Sequence, residues 1–360
     1  MKLIELCNDG FKMQEIRENV NSLAIISLKT ALKAYFSTYK STKDNGNMMD
    51  SKEMEQKDKY YNREYIESYS ETIVHLQHFF ELVLKDILRK KNEMLALRID
   101  TQHEVFMNLV LGNEIDQSKI EKINTVEFDT AFKRVQKIIE SNEIGEEYNF
   151  LTERDNIEAL IQLNLMRNRI WHRGSYVLRY KALDLFIGKY IFPIIEKMMS
   201  LEGYDRIDSW WKGSKNRLGI DPIKEIIIET KCTNPSFDKI AFLKEFGRAT
   251  YNNRVGSGFG IFKTEIENQA KHIAEGELFN PIAQGVVIHN CPVCGVDSLV
   301  GYEDTEYAYE DDGEVVDAWR FIYQVKCHCC HFEMRNLGMK NLEEYGYDEP
   351  DYWLYENLSS

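Results

Sequence analysis

The pattern of apolar positions along the chain changes character near residue 200. In the preceding part, apolar residues recur every three or four positions, the spacing that places them on one face of an α-helix. Polar stretches and helix-ending residues separate these periodic segments. The pattern predicts helices over residues 11–40, 59–97, 128–141, 152–174 and 177–201. Several amphipathic helices of this length predict a helical bundle over residues 1–202.

Further features refine this bundle. The second helix has the most regular apolar stripe, formed by Ile73, Leu76, Phe80, Leu84 and Ile87. Residues 41–58 are polar and predict a flexible loop. The last helix is apolar on most sides, so we expect it at the centre of the bundle or in an interface, with a kink at Pro193. Residues 98–126 show no clear period.

The pattern weakens after residue 202. A break from Gly203 to Gly219 is followed by a short apolar run, Ile226–Ile228, and by one periodic segment, Phe262–Gly276, which predicts a helix. The glycine-rich stretch over 256–260 lacks the strand and lysine of a phosphate-binding loop. We therefore expect a mixed connector or target-binding region here. The predicted linear domains are residues 1–202, 203–285 and 286–360.

Two pairs of cysteines mark the last domain, and two residues separate the members of each pair. The four residues are Cys291, Cys294, Cys327 and Cys330. Thiolate pairs at this spacing are typical of a structural zinc site, because four thiolates leave no open coordination position. The sequence therefore predicts one structural Zn²⁺. The fourth ligand stays open, since alternative donors flank the last cysteine: His328, Cys329 and His331.

Strand-like segments over 298–302 and 319–326 lie between the two cysteine pairs, an arrangement similar to a small β zinc ribbon. The acidic residues over 303–317 predict a loop that accounts for the long separation between the two cysteine pairs. Residues 291–360 contain 16 acidic and 4 basic residues, so they carry −12 of the total charge of −14. This charge disfavours contact with phosphate and favours a protein partner, or a cover over a basic cleft.

Cysteine usage and hydropathy give an expectation about the compartment. Seven cysteines, an odd number with five of them clustered, favour metal ligation in a reducing environment over disulfides. The first ten residues lack a signal-peptide pattern. The most apolar stretch, Leu183–Ile195, contains Asp184 and Lys189 and is too short to cross a bilayer. We expect a cytoplasmic protein that does not contact the membrane.

One predicted helix ends in an unusual polar group. Thr152 marks its start and Gly174 its end. Its predicted buried stripe is formed by Ile157, Ile161 and Leu165. Asn168 and His172 fall on the same side as that stripe, whereas Arg167 lies about 140° round from His172 at roughly 100° per residue. A buried stripe that turns polar requires a partner for its polar groups.

Arg167, Asn168 and His172 form the pattern R-N-x-x-x-H, which suits cleavage of RNA by its own 2′-hydroxyl. An imidazole can remove the hydroxyl proton, and a guanidinium can hold the charge that develops on the phosphate. Neither step requires a metal. Arg169 and Arg173 add positive charge for substrate binding. The alternative interpretation is a histidine satisfied within a helix interface, with arginines on a solvated face.

The R-N-x-x-x-H pattern and the upstream helix Ile73–Leu88 together resemble the HEPN superfamily over about the first 200 residues. The resemblance implies a helical homodimer in which two such motifs form one composite, metal-independent ribonuclease site. Arg167 would then bind phosphate, Asn168 would orient, and His172 would be the acid or base. It also implies a role in phage defence or as a toxin. Many toxin members carry Tyr two residues after the His, where this chain has Gly174.

Other polar and aromatic residues offer weaker candidate sites. Trp210, Trp211 and Lys212 combine aromatic faces with a cation and could stack an RNA base, although adjacent tryptophans also anchor linkers. His75 and His78 on the second helix are interpreted as surface or interface residues, because no cysteine or carboxylate accompanies them at metal-ligand spacing.

The sequence favours a homodimeric HEPN-type endoribonuclease with a structural zinc ribbon. Its substrate would be RNA, and its products would carry 2′,3′-cyclic phosphate and 5′-hydroxyl ends. Two other functions stay open. One is a non-catalytic HEPN scaffold that recruits a protein partner through the acidic ribbon. The other is an adaptor that binds nucleic acid through Trp210, Trp211 and nearby cations.

Overall fold

The computed structural model describes a mainly helical chain with a small antiparallel sheet near its C-terminal end. The described residues are 9, 20–44, 61–98, 107–108, 111, 113, 124–174, 176–257, 261–282, 284–310, 314–353 and 355–357. Parts of the predicted segments lie outside these ranges: residues 11–19 of the first helix, 45–58 of the polar insert, 59–60 of the second helix, most of 98–126, 258–260 of the glycine-rich stretch and 311–313 of the acidic loop.

The helices follow the predicted order in the first two hundred residues. They are α1 (Ser22–Ser37), α2 (Arg63–Lys91), α3 (Phe128–Glu140), α4 (Arg154–Arg173), α5 (Tyr180–Phe186) and α6 (Phe192–Met199). The later helices are α7 (Asp208–Trp211), α8 (Pro222–Lys231), α9 (Phe237–Asn252), α10 (Arg254–Ser257) and α11 (Ile261–Leu278). None of the helices in the described ranges is long and apolar enough to cross a membrane.

The sheet contains β1 (Gly285–Asn290), β2 (Asp297–Tyr309), β3 (Val315–Cys327), β4 (Glu333–Arg335) and β5 (Tyr355–Asn357). All pairings are antiparallel in the order β1-β2-β3-β4, and β5 pairs with the other part of β3. The two predicted strands are confirmed within β2 and β3. The predicted acidic loop is wrong in part, because β2 and β3 continue through most of it as a hairpin.

The described contacts divide the chain into two compact units, each built from several segments. Unit 1 comprises residues 1–31, 73–173 and 194–211, and unit 2 comprises residues 32–72, 174–193 and 212–360. The predicted ribbon, residues 286–360, therefore belongs to a unit that also contains helices. The three linear domains stay a prediction.

Unit 1 has an apolar core around α2. The predicted stripe of α2 is buried, and Phe79, Val83 and Leu88 extend it. A polar anchor lies at the end of this core, where the carboxylate of Asp86 accepts hydrogen bonds from the Tyr204 hydroxyl at 2.7 Å and the Asn21 amide at 3.2 Å. Burial raises the pKa of Asp86, and these hydrogen bonds oppose that effect.

Helix α4 differs from its prediction in its start and in its buried face. Thr152 ends a short 3₁₀ helix, and its hydroxyl donates to the Asn149 carbonyl at 2.7 Å instead of capping α4. The predicted stripe is partly exposed, whereas the buried residues are Ala159, Leu160, Leu163, Asn164 and Met166. Gly174 ends the helix as predicted, with a left-handed φ of 58°.

The segment around Pro193 contains a local change of helix type. A π-helical turn, Ile187–Ile191, joins α5 to α6, so the wider turn accommodates a residue that has no amide hydrogen. Gly188 lies in this turn, where a Cβ atom would come within 2.6 Å of Thr230 Cγ2. Only glycine therefore permits α8 to pack this closely against the turn.

Unit 2 is organised around α9, which the sequence did not predict. The helix is buried on nearly all sides, including Lys244 and Glu245. The Lys244 ammonium pairs with the Asp184 carboxylate at 2.7 Å and lies 3.6 Å from the centre of the Tyr180 ring. Burial lowers the pKa of Lys244 to about 8, although Asp184 opposes that shift.

The ribbon packs on the other side of α9. Phe242 of that helix contacts the rings of Phe332, Tyr345 and Tyr347, with centroids 5.4 to 6.4 Å apart. Glu245 accepts a hydrogen bond from the Glu333 amide at 2.6 Å. These contacts show why the ribbon and the helices form one unit.

Candidate functional site

The four predicted cysteines converge in unit 2. Their sulfur atoms all lie within 4.8 Å of one another. Cys291 Sγ and Cys330 Sγ are 3.6 Å apart, as are Cys294 Sγ and Cys327 Sγ. Sulfurs at tetrahedral corners about 2.3 Å from a zinc ion would be about 3.8 Å apart. The four cysteines therefore form a cluster suited to a metal ion, as predicted.

Two knuckles of matching geometry position the sulfurs. The Gly295 amide donates to the Cys291 carbonyl at 3.0 Å, and the His331 amide donates to the Cys327 carbonyl at 3.1 Å. Gly295 and His331 both have a left-handed backbone conformation, with φ of 76° and 59°. Glycine adopts this conformation freely, whereas it is uncommon for histidine. The fold therefore imposes the same turn at both knuckles despite the different residues.

Further hydrogen bonds adjust the charge of the sulfurs. Cys327 Sγ accepts from the Cys329 amide at 3.4 Å and lies 3.3 Å from Ser298 Oγ. Burial raises the pKa of Cys291 and Cys330, whereas hydrogen bonds from neighbouring thiols lower the pKa of Cys294 and Cys327. Four thiolates at this distance repel one another unless a cation neutralises them. The donor set therefore fits a thiolate-bound metal.

The geometry also identifies the fourth member of the sulfur cluster. Cys330 belongs to the four-sulfur cluster, and Cys329 does not. The His328 ring is engaged elsewhere, with Nε2 3.1 Å from the Tyr302 hydroxyl. His331 occupies the left-handed position of the second knuckle. The fold therefore places Cys330, and none of its three alternatives, in the four-sulfur cluster.

Arg217 contacts the first cysteine knuckle. Its Nε donates to the Cys291 carbonyl at 3.1 Å, its amide donates to the Val293 carbonyl at 2.9 Å, and its guanidinium pairs with Glu349. This side chain therefore holds the first knuckle in place.

The R-N-x-x-x-H residues lie at the C-terminal end of α4 in unit 1. Arg167 donates to Asn168 Oδ1 at 3.0 Å, and both side chains are half-buried. The guanidinium lies 5.6 Å from the centre of the Trp171 ring, which is 66 % exposed. Such a cation–π contact orients the guanidinium while leaving its other donors available to a ligand.

His172 lies in the last turn of α4 and is exposed, as is Arg169. Arg173 is the final residue of the helix. The predicted arrangement of Asn168 and His172 beside a buried stripe is wrong, because Ile161 and Leu165 on that side are exposed. The motif is therefore accessible to solvent and is not sealed within apolar packing.

His78 of α2, interpreted from the sequence as a surface or interface residue, is partly buried and lies within electrostatic range of Arg167. Its Nδ1 lies 2.9 Å from the Ser27 hydroxyl. Burial lowers the pKa of His78, and the positive charge of Arg167 contributes to that shift.

The two adjacent tryptophans differ in burial. Trp210 is 54 % exposed, but Trp211 is only 2 % exposed. A ring buried to that extent cannot stack on a base, so the substrate-binding prediction for Trp211 is wrong in this conformation. Lys212 forms an ion pair with Asp221 at 3.0 Å. This part of the chain therefore fits the linker-anchor interpretation better.

Comparison with known proteins found no matching family model, no matching curated protein and no matching solved structure. The resemblance to HEPN proteins therefore depends on the quoted residues and stays a prediction.

Proposed function

We propose that this protein is a metal-independent endoribonuclease of the HEPN type, with Arg167, Asn168 and His172 as its catalytic residues. The observation that carries the proposal is the polar end of α4, where an exposed imidazole follows a hydrogen-bonded Arg167–Asn168 pair by about one turn. A helix end with exposed polar groups is accessible to a large substrate such as RNA.

The chemistry follows from the residue types. His172 removes the proton of the ribose 2′-hydroxyl, which then attacks the adjacent phosphorus and releases the 5′-oxygen of the next nucleotide. Arg167 stabilises the negative charge on the phosphoryl oxygens, and Asn168 holds that guanidinium in place. The released oxygen requires a proton, which a second histidine supplies. The products are 2′,3′-cyclic phosphate and 5′-hydroxyl ends.

A second copy of the chain is the proposed source of that second histidine. Ile161 and Leu165 are 39 % and 42 % exposed, and both lie on the His172 side of α4 at roughly 100° per residue. Covering these apolar side chains with the same face of another copy would form a two-fold interface. It would also bring two R-N-x-x-x-H motifs together, as the resemblance implies.

The metal in this proposal is Zn²⁺, and its role is structural. Four thiolates fill a tetrahedral zinc site, so no coordination position remains for water or substrate. The cysteine cluster would stabilise the ribbon, while the chemistry occurs at α4. In the biological setting implied by the resemblance, RNA cleavage serves phage defence or toxin action.

The test is RNA cleavage in magnesium-free buffer with a chelator, after confirming that zinc remains bound. Wild type should cut RNA and leave cyclic phosphate ends. His172→Ala should lose at least about 100-fold in rate, because a general base contributes roughly that much or more. His272→Ala, which changes an exposed histidine on α11, is the matched control. Equal rates for wild type and His172→Ala would exclude His172 from catalysis.

A non-catalytic scaffold is the second candidate function. The observation that favours it is the acidic hairpin formed by β2 and β3, which offers a protein-binding surface. Growth on expression distinguishes the two functions. A ribonuclease should slow growth in a manner that His172→Ala abolishes, whereas a scaffold should show no dependence on His172.

A further inference from the structure

The strands β2 and β3 extend beyond the rest of the sheet as a two-stranded arm. β1 pairs with β2 only as far as Tyr302, whereas β2 continues to Tyr309 with β3 opposite. We call the outer side of β2 over residues 303–309 the arm edge. Among the described residues, no strand pairs with the arm edge. An unpaired strand edge presents backbone donors and acceptors that can pair with another chain.

Two hydrogen bonds identify the backbone groups that face this edge. The Glu303 amide donates to the Gln284 carbonyl at 3.1 Å, away from β3. Since backbone groups alternate along a strand, the amides of Thr305 and Tyr307 face the same way. The Thr305 amide indeed donates to the side chain of Asp304 at 2.8 Å. The next outward amide is that of Tyr307, which lies opposite Ala318.

The side chains of the arm edge separate into two faces. Tyr307 and Tyr309 are 51 % and 62 % exposed, and their ring centroids are 6.4 Å apart, so they share one face. Asp304 and Glu306 occupy the alternate positions and therefore the other face. The edge thus combines an aromatic face with an acidic face along one strand.

Charge decides which kind of strand would pair here. Residues 303–317 contain eight acidic residues and no lysine or arginine. Arg320, at the base of the arm, pairs with Glu303 at 3.4 Å. A second copy of the arm would bring like charges into apposition, and a nucleic acid would bring phosphates. An extended segment with alternating basic and apolar residues would match both faces.

We propose that the arm edge binds an extended, basic segment of a partner protein, which adds a strand to the sheet beside β2. Basic side chains of that segment pair with Asp304 and Glu306, and its apolar side chains contact Tyr307 and Tyr309. The proposal does not depend on the ribonuclease function, since no residue of α4 takes part.

The experiment measures binding of a fluorescent peptide of alternating lysine and valine to the full-length, metal-loaded protein by anisotropy. A peptide of alternating glutamate and valine is the matched probe. The lysine peptide should bind, and its affinity should fall as salt rises because charge pairs contribute. The glutamate peptide should not bind.

Two proline variants locate the binding edge. Tyr307→Pro removes an outward amide from the arm edge and should weaken binding by about tenfold or more, since proline cannot donate to an added strand. Ala318→Pro makes the same change on the opposite edge of the arm and should leave binding unchanged. An Asp304→Lys, Glu306→Lys variant, which leaves the backbone intact, should also abolish binding and keeps the test valid if Tyr307→Pro misfolds.

Several results would overturn the proposal. They are absence of lysine-peptide binding to wild type, equal binding of the two peptides, and equal loss in Tyr307→Pro and Ala318→Pro when both are folded. Self-association of the wild type that Tyr307→Pro abolishes would identify a second copy as the occupant instead. Loss of RNA binding in the same variant would identify RNA.

Discussion

The cysteine cluster of unit 2 and the end of α4 in unit 1 are sites of opposite kinds. All four sulfurs come from one chain, and hydrogen bonds within the two knuckles fix their positions. The R-N-x-x-x-H group lies on an exposed helix end, beside apolar side chains that unit 1 does not cover. The sulfur cluster is complete within the chain, whereas the proposed catalytic site would require a second copy of the chain.

A short motif determines a site fully only when the geometry of that site is local. A C-x-x-C knuckle is a local turn, so its spacing almost specifies its geometry. A motif on a helix specifies only which residues share a face, and other helices decide whether that face is buried. The proposed metal centre is therefore the more secure of the two, and the proposed catalytic site depends on assembly.

Loss of the metal should have the largest effect. Cys291→Ser removes one of the four proposed zinc ligands, and structural zinc contributes on the order of 10 kcal/mol in small zinc modules. We expect loss of bound zinc and loss of the ribbon's protection from proteolysis. Zinc analysis and limited proteolysis measure both effects.

Cys329→Ser is the matched control, because Cys329 lies beside the cluster but outside the four-sulfur set. It should retain zinc. If Cys291→Ser kept a full equivalent of zinc, or if Cys329→Ser lost it, the assignment of the ligands would be wrong.

Breaking the buried ion pair of unit 2 should have the next largest effect. Lys244→Met leaves the fully buried Asp184 without its cation, and an uncompensated buried charge destabilises by about 3–5 kcal/mol. Chemical denaturation should show this loss. Arg63→Met removes an exposed ion pair with Glu67 and should change stability by less than about 1 kcal/mol. Equal effects of the two variants would contradict the account of the core.

These two regions also show what the sequence could predict. Helix periodicity predicted α2 and α3, and cysteine spacing predicted which four sulfurs converge. The buried face of α4 was not predictable, because Asn164 is buried through hydrogen bonds with Gln77 and Asp129 on other helices, at 3.3 and 2.9 Å. Without knowledge of these partners, the apolar residues Ile161 and Leu165 were predicted to form the buried face instead.

Two further differences between the predicted and the observed elements have the same physical origin. Helix α9 is buried on nearly every side, so it lacks the polar face that reveals an amphipathic helix. Residues 303–317 were predicted to form a loop because acidic residues are uncommon in strands. Pairing between β2 and β3 nevertheless maintains both strands of the arm. Nonlocal partners, absent from any short window of sequence, determine both elements.

A charge on the exposed face of α4 should disrupt the proposed dimer. Leu165→Glu places a carboxylate where a second copy would pack, and desolvating it should weaken association by about tenfold or more. Sedimentation at several concentrations measures this. Ile228→Glu, on an exposed position of α8, should leave association unchanged. An unaffected oligomer in Leu165→Glu would place the interface elsewhere.

The smallest expected effect concerns pH. Burial lowers the pKa of His78 in the folded state, so the folded state binds fewer protons than the unfolded state. Its contribution to stability should be fully present above the unfolded pKa of about 6.5 and lost as pH falls through the lower folded value. Denaturation curves should show a weaker acid dependence for His78→Gln than for wild type. His272→Gln should retain the full dependence.

The most direct test of the assembly claim is the separation of the two His172 side chains in an experimental structure of the protein in its solution oligomer. The account predicts a two-fold dimer in which both imidazoles enter one solvent-accessible cleft, within reach of a single phosphodiester. A monomer in solution, or a dimer with the two His172 side chains on opposite surfaces, would contradict it.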